Sequence, residues 1–131
     1  MKNLYALLFV LLLAGCVPPQ PVCLSGKPFT ETKLYFGMNK PTGGTVSAHD
    51  WQAFVDTDIA PRFPEGFTVV DAHGAWLGRA EGKTISENSK IVIRLHDGAQ
   101  SKAIEEIIDS YKKKFAQEAV MRVDTGVCAA F

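Results

Sequence analysis

Neither sign of charge is in surplus. Lys plus Arg and Asp plus Glu each number 14 in 131 residues. A nucleic-acid binder shows a basic excess or stripe, and a polybasic membrane patch needs the same, so no nucleic-acid partner is expected. Histidine is scarce. His49, His73 and His96 are the only three, and no two stand at ligand spacing. Asp71-x-His73 could set two ligands on one strand face, with Glu81 or Glu87 nearby. A metal needs at least three converging groups, however, and a polar turn accounts for these residues. There is no G-x-S-x-G elbow and no P-loop, and no Ser, His and Asp are spaced like a triad. No catalytic residue, metal or cofactor is therefore expected. Cysteine is limited to Cys16, Cys23 and Cys128.

What is present starts at the N-terminus. Lys2 supplies a positive n-region, and Leu4 to Leu13 forms an apolar run too short to span a bilayer comfortably. It ends in Leu13-Ala14-Gly15-Cys16, which resembles the bacterial lipobox. That resemblance implies a signal peptide over residues 1–15 and an acylated Cys16 anchored in a lipid bilayer. Val17, rather than Asp, after the Cys implies sorting to the outer membrane, facing the periplasm. In that oxidising compartment Cys23 and Cys128 form an even pair, and a disulfide is expected. It would close a loop of about a hundred residues, worth ~4–5 kcal/mol in the chain-entropy model.

Residues 16–31, with Pro18, Pro19 and Pro21, read as the lipidated Cys and a flexible tether, and residues 32–131 as one domain. Thr32–Met38 alternates as a strand, with Leu34 and Phe36 on one face and Lys33 and Tyr35 on the other. After an irregular loop Ser47 caps a helix, with Asp50 three residues on. Trp51, Phe54, Val55 and Ile59 make its apolar stripe, and Asp56 and Asp58 lie mostly off it. Pro61 ends the helix and Gly66 permits the turn that follows. Phe67–Ala72 is a second strand, with a bulge expected at His73-Gly74. Gly78–Lys90 reads as polar turn and Ile91–Leu95 as a third strand. Ser101 opens a second helix, with Ile104, Ile107, Ile108, Tyr111 and Phe115 at helical spacing, and Ala119–Asp124 is the last strand.

The order βαββαβ predicts an α+β, ferredoxin-like sandwich: a four-stranded antiparallel sheet with two helices on one face. In the usual strand order 4-1-3-2 the first and last strands are neighbours, which brings Cys23 and Cys128 together.

Leu34-Tyr35-Phe36-Gly37, Val46-Ser47, Trp51, Phe54, the block Pro61-Arg62-Phe63-Pro64-Glu65-Gly66-Phe67, Gly74, Trp76, Glu87, Tyr111 and Phe115 share one pattern. It resembles a family of small bacterial exported proteins known as a domain of unknown function, number three-five-seven-four. The resemblance covers Thr32 to Phe131, departs at Ala75, and implies fold and compartment but no activity.

Arg62, held between two prolines, either binds an anion or pairs with Glu87 or Glu118. A structural ion pair with Glu87, locking the turn to the sheet, is the expectation. Trp51 is expected in the core. Trp76 is weighed between core and partner contact, with core favoured. The sheet face away from the helices is expected to carry Lys33, Tyr35, Val92 and Arg94. On it Tyr35, Arg94 and Trp76 form the candidate ligand or partner face. The expected function is a non-catalytic, outer-membrane-anchored binding or scaffolding domain with an envelope protein or a second copy as partner. The alternative is a small cofactor-independent enzyme or small-molecule binder of the dimeric α+β barrel type.

Overall fold

The computed structural model describes residues 22–78 and 82–131. The expected signal segment, Cys16 and Glu81 lie outside them. The elements are β1 (Lys27–Gly37), α1 (Ala48–Phe54), a π-helical turn (Val55–Ile59), β2 (Thr68–Gly78), β3 (Lys83–His96), α2 (Ser101–Phe115) and β4 (Met121–Ala129). The antiparallel sheet runs β2-β3-β1-β4, the ferredoxin-like order, with both helices on one face.

The alternation of β1 sends Leu34 and Phe36 toward the helices, where both are buried. Trp51 and Phe54 from α1 and Tyr111 from α2 close over Phe36, with ring centroids 5.5, 6.0 and 4.7 Å from it. Ser47 caps α1 as expected, its Oγ accepting from the Asp50 N–H at 3.0 Å. Cys23 and Cys128 are bonded, with Cα atoms 5.6 Å apart. They sit where β1 and β4 pair.

Four local expectations are corrected. Strand β1 begins at Lys27, inside the expected tether, because Lys27–Glu31 pairs with Thr125–Ala129 and the disulfide holds the two ends together. Lys83–Lys90 is strand rather than turn. It pairs with β2 residue for residue, from Thr68↔Ile93 to Gly78↔Lys83, so His73-Gly74 carries no bulge. Its polar residues read as a turn from composition alone, yet they alternate, with Ile85 and Glu87 half-buried between exposed neighbours. Asp58, finally, faces inward and is buried, because the wider π-turn shifts the helical phase after Phe54.

Asp58 accepts from Thr57 Oγ1 (2.7 Å), Ser110 Oγ (2.5 Å) and Lys114 Nζ (2.8 Å), tying the turn to α2. Burial pushes its carboxyl up, but the bonds from Lys114, Ser110 and Thr57 outweigh it and hold the group below the usual Asp value. A depressed folded value gives stability that is present above the unfolded value and is lost as pH falls through the folded one. Lys114→Met is expected to cost about 1 kcal/mol at pH 7, given the half-exposed lysine. The loss should shrink as pH falls through the folded value of Asp58, because a protonated carboxyl no longer pairs with Lys114; urea unfolding at pH 7 and at a series of lower pH values checks this.

Candidate functional site

The pairing register assigns each strand residue to a face. Leu34 stands opposite Val92 and Thr32 opposite Arg94, so Val92 and Arg94 lie on the helix side. Tyr35 stands opposite Ile91 on the open side. Arg94 is thus removed from the expected partner face. Ile91-Val92-Ile93 is apolar at successive positions, so β3 carries no alternation to fix its phase, and pairing with β1 decides it. Arg94 lies buried under the Pro61–Gly66 turn, with its guanidinium 5.6 Å from the Phe63 ring centroid. It donates to the Gly66 carbonyl (2.9 Å) and to Glu65 Oε2 (2.5 Å). Gly66 itself has φ +112°, in the left-handed region glycine favours.

Arg94 therefore does the work expected of Arg62. Arg62 does pair, but with Glu106 of α2 (3.1 Å) and the Asp58 carbonyl (2.8 Å), not with Glu87. The turn projects on the helix side of the sheet, whereas Glu87 points out of the opposite face. Trp76 is not core either. It is 48% exposed, on the open face opposite Ile85, in a stretch where β2 and β3 run on beyond the end of β1. Trp51 is buried, as expected.

That overhang builds the site. Glu87 stands opposite Gly74, and its Oε1 accepts from the Asn39 N–H at 2.9 Å. The carboxylate lies on Gly37: a Cβ added there would meet Oε1 at 2.7 Å. Glycine on β1 and glycine on β2 flank the acid, leaving a groove of about 640 Å³ walled by Tyr35, Trp76 and Met121, with Gln117 at its side. A second depression of about 430 Å³ shares Trp76, Glu87 and Gln117 and continues toward Lys40. From the helix side the Tyr111 hydroxyl donates to the Gly37 carbonyl at 2.8 Å, so the peptide under Glu87 is held from behind. Burial first, and then Glu87, push the Tyr111 hydroxyl well above the usual tyrosine value, so it stays a neutral donor. A carboxylate between aromatic walls suits a cation.

Other chemistry-bearing groups are structural. A cavity of about 420 Å³ on the other side is lined by Asp71 and Lys90, which pair with each other. Thr32, His96 and Asp124 come together, a cluster their sequence spacing conceals. Thr32 Oγ1 donates to Asp124 Oδ1 (2.5 Å) and lies 2.9 Å from His96 Nε2, while His96 Nδ1 is 2.8 Å from the Gly98 carbonyl. Burial raises the Asp124 carboxyl, yet its bonds from Thr32 and Arg122 bring it below the usual value. In a nucleophilic triad the imidazole sits between hydroxyl and carboxylate. Here the hydroxyl sits in the middle and donates its hydrogen bond to Asp124, so the carboxylate does not orient the imidazole as a base. Among the described residues no three His, Cys, Asp or Glu are grouped to hold a metal.

A family model described as "Protein of unknown function (DUF3574)" matches residues 31–131. No curated protein matches the chain. Among solved structures, a phage SAM lyase in complex with S-methyl-5'-thioadenosine is similar at TM-score 0.54 and 18% identity, covering 82% of this chain and 95% of its own. A phage SAM lyase in the apo state is similar at TM-score 0.50 and 18% identity, covering 86% of this chain and 98% of its own. At that identity the likeness is one of fold.

Proposed function

The chain belongs to the family described as "Protein of unknown function (DUF3574)", and from that premise we propose that it is a lipid-anchored binding domain of the bacterial outer membrane, facing the periplasm, whose ligand site is the groove at Glu87. The anchor is Cys16, acylated after removal of residues 1–15. The site takes a small organic cation, with its positive head on Glu87 and its apolar body along Trp76 and Tyr35. One observation carries this reading: a carboxylate laid over Gly37 in an aromatic-walled groove, with an oxygen still turned to no cationic side chain among the described residues. The bond from the Asn39 N–H fixes that carboxylate in place. Binding rather than turnover is favoured because the hydroxyl–imidazole–carboxylate cluster is wired against activation.

The probe is benzyltrimethylammonium, titrated calorimetrically into the full chain in non-ionic detergent. Glu87→Gln keeps the shape and removes the charge, and is expected to weaken binding at least tenfold, about 1.4 kcal/mol. Equal affinity in the two proteins would sink the assignment. Separately, Cys16→Ser should move the chain out of the outer-membrane fraction.

The phage SAM lyase of similar fold favours a second reading, an enzyme acting on SAM with Glu87 in the site. Incubation with SAM, followed by chromatography for S-methyl-5'-thioadenosine, separates the two.

A further inference from the structure

The outward face of an antiparallel sheet that meets water normally alternates to polar residues. Here it does not. Tyr35, Ile91, Ile93 and Leu95 stand outward on the two central strands, only half-buried. On the edge strands Val70, Trp76, Met121 and Val123 stand outward at 40, 48, 55 and 38% exposure. Monomeric soluble domains rarely leave so continuous an apolar area to water.

We infer that this face is covered by a second copy of the chain, sheet against sheet. The area fits. Four strands about 4.8 Å apart and ten residues long present roughly 600 Å² each. Two such faces together bury roughly 1,200 Å², the lower bound of a specific interface. The charges fit as well. At the middle of the face Glu31 and Lys33 form an ion pair at 2.7 Å and cancel. A two-fold axis over β1 lets the acid of one copy face the base of the other, as an isologous contact requires. A membrane surface is the poorer occupant, since anionic headgroups call for a basic excess that this face lacks. The covering sheet would also roof the groove at Glu87. The inference nevertheless stands on the apolar area and not on the ligand, so Glu87→Gln should leave the pairing intact.

The test uses the full chain in the bacterial envelope, with Tyr35 replaced by photoreactive p-benzoylphenylalanine. Irradiation is expected to give one product at twice the chain mass. The same group in place of the exposed helix residue Lys113 should give none. Val70→Lys combined with Val123→Lys should abolish the product at least tenfold, while the thermal midpoint of the purified variant stays within a few degrees of the parent. A product with a different protein, with lipid, or none at all from position 35 would overturn the inference. So would a product that survives the two lysines.

Discussion

Phe36→Ala is expected to lower the unfolding free energy by about 3–5 kcal/mol, a large part of what a domain of this size possesses. Phe36 is fully buried and its ring meets three others, from Trp51, Phe54 and Tyr111. The neighbours come from two helices and cannot all follow the receding side chain, so a cavity remains. The loss should carry a second consequence. Tyr111 holds the Gly37 carbonyl beneath Glu87, and a Tyr111 released from its ring contact with Phe36 grips that peptide less firmly. Denaturant unfolding measures the first effect, and a shortfall below 2 kcal/mol would show that the core closes around the gap. Tyr111→Phe separates the two. It keeps the ring, loses one buried hydrogen bond and should cost about 1 kcal/mol.

Replacing Cys23 and Cys128 together by serine is expected to cost about 2–4 kcal/mol. The bond joins residues 105 apart, so it restricts nearly the whole described chain when unfolded. The chain-entropy model gives about 4.7 kcal/mol for such a loop, and residual structure in the reduced, unfolded chain lowers what is lost. The structure adds a local signature. The Lys27–Glu31 end of β1 is paired with the edge strand β4 and is fastened there by the bridge. Amide exchange should therefore rise first at Lys27–Thr30 and at Gly126–Ala129 in the variant, with Leu34 and Phe36 keeping their protection. Uniform acceleration through β1 would instead mean that the bridge supports the whole sheet.

Much of the architecture was legible because its signals are local. Ser47 marks a cap, Pro61 marks an end, and Trp51, Phe54 and Ile59 mark one stripe whatever surrounds them. The cysteine pair was legible because parity and the strand order agree. The features that stayed hidden depend on partners distant in sequence. The apolar run Ile91-Val92-Ile93 admits either face, and only the register with β1 sends Arg94 inward and Ile91 outward. Arg62 and Glu87 carry opposite charges, which invited pairing, but they belong to opposite sides of the sheet. Asp58 reads as off the apolar stripe because a π-turn leaves no mark in the pattern of apolar residues. Glu87 did have a signal. Gly37 closes β1, and glycine in a strand often marks the close approach of another group; the group is the Glu87 carboxylate.

The central claim is that the open sheet face around Glu87 is the working surface of this protein. The most direct test is chemical-shift mapping on the isotopically labelled full chain during titration with benzyltrimethylammonium. Shifts confined to Gly37, Gly74, Glu87 and the Trp76 indole, and absent in Glu87→Gln, are predicted. Shifts centred instead on the cavity between Asp71 and Lys90, or spread evenly over the helices, would contradict it.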